Sequence, residues 1–476
     1  MSLFINAMPG EIILAGIIVF LMLLDFIIKD KKEIIGWAFI VLITLLLAYT
    51  AGFKTEATLL NGAYVSDELS WFSQMMILLA AALTGLLSVQ SVKTGKKFTG
   101  AYYILLACST LGLMFLVSSK ELITLYVGLE LATVSLYAMA AIYKADNSST
   151  EAGIKYLILG AISSAILLFG ISFIYGITRT TYIEGILSYT SASPIAPIFV
   201  IALIMILLGA GFKLSMVPMH LWTPDVYQGA PTPVTAFISV ASKAAGFVFV
   251  IRLFSYMFVK LDYIWVPLLS IIALLTMTVG NLMAIPQKNV KRLLAYSTIS
   301  QAGYILVGFV GASVIGISSV IFYLLAYTIT NIAAFAVVTA FSKATGSDNL
   351  EDYAGLAQKE PLLALLFMLS LLSLAGIPPL AGFVGKFYLF YSAMQKGYVW
   401  LVVAAALNST ISLYYYLLVL KQMYIFDRKK EFPKIKLDLS VKIVLIFTMI
   451  AIFAMGIFPG PILDLTSDIA QALFLK

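Results

Sequence analysis

The chain has 476 residues, of which 62% are hydrophobic and only 11% charged, and its mean hydropathy is +1.02. A typical soluble domain is nearer half apolar and a quarter charged, so these figures exclude a water-soluble globule and imply an integral membrane protein. The formal net charge of +7 would suit an anionic partner, but the basic residues gather in loops between apolar runs, the pattern of a membrane-orientation signal and not of a nucleic-acid surface.

A membrane-spanning helix takes about 20 apolar residues. On that measure the spans fall, in chain order, near 11–29, 34–52, 71–92, 101–118, 121–143, 153–177, 196–217, 233–258, 263–285, 291–311, 315–342, 361–396, 399–425 and 440–459. They predict an all-α polytopic membrane protein of fourteen spans in one membrane domain. Continuous apolar runs fill the segments, so the alternation of a β-barrel is excluded. The first run lacks a basic start and a small-residue cleavage site, and reads as a span and not as a cleaved signal.

Most of the 30 Lys and Arg lie in loops that share one side, among them Lys96, Lys97, Lys144, Lys291, Arg292 and Lys429. The opposite side is poorer and holds Arg179, Arg252 and Lys260. Basic residues concentrate in cytoplasmic loops. The first side therefore faces the cytoplasm of a bacterial inner membrane, and both termini face outward.

Several charges fall inside spans. A charge at mid-membrane costs from about 3 to more than ~10 kcal/mol, so it is rare there and usually functional. Asp25 ends span one, four residues before Lys29, and suits a pair along the helix. Glu130 is central in span five. Lys155 lies near the cytoplasmic start of span six, where a snorkelling anchor explains it as well as a relay does. Lys213 sits in span seven, Lys243 in span eight and Lys386 in span twelve. One buried ion pair would be structural, but three central lysines exceed the single central carboxylate. Low dielectric disfavours a buried ammonium without a partner, and groups near that balance suit a proton relay. His220, the only histidine, precedes "PDVYQGAPTP", read as a cytoplasmic turn; it is either a membrane-edge residue or the mouth of the relay. With Cys108 the only cysteine, no multi-cysteine metal site and no haem, iron–sulfur or zinc centre is expected.

Two spans are interrupted. Pro218 removes a donor and frees the carbonyl of Leu214, whose partial negative charge favours the adjacent Lys213 ammonium. Pro378 and Pro379, in "GIPPLAGFVG", free the carbonyls of Leu374 and Ala375 and divide span twelve into two half-helices. "LLGAGFK" and "LLSLAGIP" lie five spans apart, and "VASKAAGF" compares with "AALNSTIS", so that Lys243 matches Asn408. An odd number of spans per copy makes the copies inverted, and matched breaks in inverted repeats mark transport sites. The expected organisation is three N-terminal helices over 1–100, one five-helix repeat over 101–258, its inverted copy over 263–425, and a C-terminal helix and tail over 440–476. Polar groups placed to bridge the lysines are Ser297, Ser300, Gln301 and Tyr304 in span ten, Tyr323, Tyr327 and Asn331 on one face of span eleven, and Asn408 in span thirteen. Helix–helix adhesion by hydroxyl residues is an equally good account of any single one.

The stretches "FKLSMVPMHLWTPDVYQGAPTPVTAF", "KRLLAYSTISQAGYILVG" and "AGIPPLAGFVGKF" resemble the antiporter-like membrane subunits of respiratory complex I, and the lysine in span twelve fits their subunit N branch. The resemblance implies a proton-translocating subunit of NADH-quinone oxidoreductase, with Glu130 partnering Lys213, Lys243 central and Lys386 terminal in the relay. It implies no cofactor bound by this chain, with NADH, FMN, iron–sulfur clusters and quinone on other subunits. The implied partners are the lipid bilayer and neighbouring membrane-arm subunits, K and M among them. A sodium/proton antiporter assembly, a membrane-bound hydrogenase and a purely structural subunit remain alternatives.

Overall fold

The computed structural model describes residues 7–28, 32–91, 99–192, 195–427 and 433–474. Without water in the bilayer every backbone donor and acceptor must be met within the segment, and helices do this. In chain order they are α1 (Pro9–Ile27), α2 (Glu33–Gly52), α3 (Glu68–Ser91), α4 (Thr99–Val117), α5 (Leu122–Ala140), α6 (Asn147–Thr178), α7 (Ile183–Ala192), α8 (Pro197–Leu214), α9 (Trp222–Gly229) and α10 (Thr232–Met257). After them come α11 (Asp262–Ala284), α12 (Val290–Val310), α13 (Val314–Thr345), α14 (Pro361–Ala375), α15 (Ala381–Gln395), α16 (Val399–Tyr424), α17 (Leu439–Ile457) and α18 (Gly460–Phe474). Thirteen helices among the described residues are long and apolar enough to cross a membrane, against fourteen spans expected; the difference is span twelve, divided into α14 and α15 of 15 residues each. The sequence reading missed the hairpin of β1 (Ala57–Leu59) and β2 (Tyr64–Ser66), paired antiparallel with Thr58 opposite Val65.

Span twelve is two half-helices, with Gly376 left-handed (φ 91°) at the end of α14. The second break differs from expectation. Residues after Pro224 do not form a turn at once; Trp222–Gly229 is a helix, so the interruption is confined to 215–221. A proline in the first turn of α9 needs no donor there, which makes Pro224 a helix starter and not a breaker.

The chain divides into two compact units. The first holds Met1–Gly85, Lys93–Ser215 and Ala241–Val266. Its α1, α2 and α6 turn Val19, Phe26, Leu45 and Ile162 outward, an apolar surface suited to lipid. Its α4 and α5 approach closely: a Cβ on Gly112 would lie 2.4 Å from the Ala132 nitrogen, and one on Gly128 2.8 Å from that of Leu116. The second unit holds Leu86–Val92, Met216–Val240 and Pro267–Lys476. There α12 and α13 are buried along nearly their whole length, and they carry the polar side chains. Around α13, Phe322, Ile329, Leu380, Met449 and Ile452 form an apolar cluster that joins it to α15 and α17.

Candidate functional site: two broken helices and their lysines

In the first unit α8 ends at Leu214, and Ser215 follows in the left-handed region (φ 61°). Carbonyls at a helix C-terminus lack intrahelical donors and carry partial negative charge, so a cation is favoured there. The structure supplies one, but not the expected one. Lys243 Nζ donates to the Leu214 carbonyl at 2.8 Å. Lys213 instead donates to Thr133 Oγ1 at 2.7 Å, and Thr133 donates on to the Leu129 carbonyl. Both ammonium groups are buried, Lys213 at 4% and Lys243 at 1% exposure. Gly246 brings α10 close to α8, since a Cβ there would lie 2.9 Å from Leu214 Cδ2.

Glu130 is half-buried on α5 and accepts a hydrogen bond from Ser164 of α6. Thr133 follows Glu130 by three residues on the same helix, so the carboxylate lies one turn from the lysine's contact. The expected direct Glu130–Lys213 pair is thus replaced by a hydroxyl that accepts from the ammonium.

In the second unit both freed carbonyls of the α14–α15 break receive donors. Gln301 Nε2 donates to the Leu374 carbonyl at 2.9 Å. Lys386 Nζ donates to the Ala375 carbonyl at 3.1 Å and to Ser409 Oγ at 3.2 Å, and it lies 4.2 Å above the Tyr304 ring. An aromatic face attracts a cation, more so when both are desolvated. Gly376 leaves room for this side chain, because a Cβ would sit 3.0 Å from Lys386 Cδ.

Two further rows run through the same unit. Asn331 Nδ2 donates to Ser239 Oγ (2.6 Å) and Tyr327 OH (3.1 Å), and Tyr327 donates to Thr298 Oγ1 (3.0 Å). Tyr323 OH donates to Gln301 Oε1, while Ser297 shares a hydrogen bond with Tyr416. Ser239 lies four residues before Lys243 in the same span. Asn408 accepts from Asn281 and donates to Thr278.

Other expectations are corrected. Lys155 is on the surface and pairs with Glu151 at 2.7 Å, as a helical i, i+4 pair does. Pro218, Pro378 and Pro379 are exposed at their breaks, and His220 is half-buried in the turn before α9. Asp25 pairs with Lys32 at 2.8 Å, and Lys29 lies outside the described residues. Arg252, assigned to a loop, is fully buried. It donates to Val117 O and bidentately to Asp67 at 2.7 and 3.0 Å. Burial pushes the Asp67 carboxyl up, but the Arg252 guanidinium and the Ser70 hydrogen bonds outweigh it and hold the carboxyl at about 2. Lys291 is also buried, donating to Ala230 O at 2.8 Å with Asp348 at 3.7 Å.

Two interrupted helices whose freed carbonyls accept from buried lysines are a membrane transport architecture, and comparisons with known proteins agree. A family described as NADH:quinone oxidoreductase/Mrp antiporter, transmembrane, matches residues 119–412. NADH-quinone oxidoreductase subunit N of Moorella thermoacetica is 45% identical over 430 residues, 90% of each chain. The chain belongs to the NADH-quinone oxidoreductase subunit N family. A chain of respiratory complex I from Thermus thermophilus with bound aureothin is similar at 32% identity and TM-score 0.82, covering 96% of this chain and 99% of that one. A chain of the Mrp complex from Dietzia sp. DQ12-45-1b has TM-score 0.87 at 21% identity, covering 98% and 97%, and shows a shared fold alone.

For this member of the subunit N family, sequence reasoning missed Thr133, Ser164, Tyr416 and the Arg252–Asp67 pair. Thr133 had a signal: it follows Glu130 by three residues, on the same helical face. Arg252 had one too, because the nine residues before it are nearly all apolar.

Proposed function

We propose that the chain is a proton-translocating membrane subunit of an NADH-quinone oxidoreductase, moving protons through Lys213, Lys243 and Lys386 with energy delivered from quinone reduction elsewhere in the assembly. The observation that carries this reading is the placement of Lys243 and Lys386, each on a carbonyl freed by a helix break. Desolvating an ammonium is costly, and the carbonyl acceptors at the breaks offset only part of that cost. Each lysine is then a group from which a modest electrostatic change removes the proton. Glu130 is the local source of such change for Lys213, acting across Thr133. The polar rows of Gln301, Tyr327 and Asn331 are the groups that, with water, extend the path.

The same reading makes spans four to eight and nine to thirteen inverted copies. Its support is the pair of breaks and a repeated packing device: Gly280 and Gly303 bring α11 against α12 as Gly112 and Gly128 bring α4 against α5, with a Cβ on Gly280 lying 2.6 Å from the Ser300 nitrogen. The loop charges favour a bacterial inner membrane with both termini outside. One cysteine and one histidine suit a subunit without its own redox group, NADH, FMN, iron–sulfur clusters and quinone being held by other subunits. Its neighbours are other membrane-arm subunits, K and M among them.

The test uses the assembled complex in proteoliposomes. Lys213→Met, Lys243→Met or Lys386→Met should lose most quinone-coupled proton uptake, while NADH oxidation by an artificial acceptor persists and Lys155→Ala behaves as the parent. An unchanged proton-to-electron ratio in all three variants rejects the relay. Sodium-dependent exchange in the same vesicles would favour an antiporter.

A further inference from the structure

The first unit holds another buried carboxylate that the lysine relay does not use. Glu11, in the first turn of α1, is 2% exposed. Its Oε1 accepts from Tyr64 OH at 2.8 Å and from Gln74 Nε2 at 2.6 Å, and Gln74 Nε2 also donates to Ser118 Oγ at 2.8 Å. Both side-chain donors address Oε1, so Oε2 has no side-chain donor; the backbone N–H of Glu11 is a further neutral donor to the carboxyl.

No Lys or Arg among the described residues forms an ion pair with Glu11. The charged groups on the elements packed around it are engaged or exposed. From the end of α2, Lys54 pairs with Glu68 of α3 at 2.5 Å. Asp67, which precedes α3, is held by Arg252 of α10. Glu56, before the hairpin, is exposed. Lys120, past the end of α4, lies 4.0 Å from Glu184. The only other acidic residue on α1, Asp25, is at its far end with Lys32.

Beside Glu11 is a cavity of about 10 Å³, lined by Gly10, Thr50, Thr55, Tyr64 and Gln74 and bordered by Tyr49 and the exposed Phe53. That is room for one water with polar partners. A carboxylate buried with neutral donors and no cation is costly, and a bound proton removes the charge.

We propose that Glu11 is a second protonation site, separate from the lysines, whose ligand is a proton taken from the aqueous phase at the N-terminal end of α1. A proton on the cavity water transfers to Oε2, forming the O–H bond and leaving neutral water; the reverse step returns it. Tyr64 and Gln74 hold Oε1 and so fix which oxygen takes the proton.

Infrared difference spectroscopy on the assembled complex tests this. The parent minus Glu11→Gln spectrum at neutral pH should show a protonated-carboxyl C=O band that shifts in D2O, vanishes at alkaline pH and persists in Lys213→Met. Tyr64→Phe, which removes a hydrogen bond to Oε1, should move the band to higher frequency. Absence of the band at neutral pH overturns the assignment, and so does its loss when sodium is added at constant pH, which would mark a cation site. If Glu11→Gln fails to assemble, Tyr64→Phe decides: a carboxyl region identical to that of the parent overturns it.

Discussion

Replacing Arg252 by Met should destabilise the assembled protein by about 3–5 kcal/mol, the cost of removing one partner of a buried ion pair. The structure says where this comes from. The guanidinium is fully buried and makes three hydrogen bonds, two to Asp67 and one to the last carbonyl of α4. A carboxyl held at about 2 in place of its ordinary 3.8 shows that the Arg252 guanidinium and the Ser70 hydrogen bonds outweigh burial and favour the charged form. An unmet Val117 carbonyl adds about 1 kcal/mol or more. The pH dependence has a definite sign. The carboxyl is depressed on folding, so its contribution is complete above 3.8 and is lost as pH falls from there toward about 2. Pulse proteolysis of this chain in the detergent-solubilised complex, read from pH 7 down to about pH 2 with an acid-active protease at the low end, measures both effects. Arg252→Met should be the less stable at neutral pH and should show a flatter acid limb than the parent. Asp67→Leu combined with Arg252→Met should recover much of the loss, because the buried charge is gone. A double variant no more stable than the single, or a single variant within about 1 kcal/mol of the parent, refutes the argument that this pair holds the hairpin and α3 to α10 and α4.

Thr133→Val keeps the side-chain shape but leaves the Lys213 ammonium without its acceptor, a loss of about 1–3 kcal/mol, so proton uptake per electron in proteoliposomes should fall while Thr133→Ser retains it; full uptake in the valine variant would mean the hydroxyl is incidental. Gly382→Ala places a Cβ 1.8 Å from the Ser373 carbonyl oxygen, a backbone clash of at least about 1–3 kcal/mol, and the amount of intact complex on a native gel should drop sharply; parental yield would show that the α14–α15 break is looser than it looks.

Much of this was legible in the sequence because lipid leaves few options. Apolar run length gave the spans, and proline chemistry gave both interruptions, since a missing donor frees the carbonyl four residues back whatever the tertiary context. The residues at the breaks were readable for the same reason. What was not readable was pairing. Which side chain reaches Leu214 depends on the approach of α10 to α8, and that approach depends on Gly246, a residue with no polar signature. Arg252 and Glu11 were misread or passed over because both lie near span ends, where a charge is ordinarily solvated. The hairpin, α3 and the end of α4 fold over them and remove the water.

The change of partner at Leu214 alters how the two lysines of the first unit are connected. With Lys213 on its own freed carbonyl, Lys243 would be a separate group on another helix. Instead Lys243 holds the carbonyl of the residue next to Lys213, and Lys213 is tied to α5 through Thr133. Loss of the proton from Lys243 would weaken the bond to Leu214 and release the last turn of α8. That turn carries Lys213, so its contact with Thr133, and its distance from Glu130, would change with it. The reverse also holds, because linkage is reciprocal. A short broken end is suited to this: the Ser215 N–H closes on the Gly211 and Phe212 carbonyls, but the Leu214 carbonyl has no helical donor of its own and takes Lys243 instead.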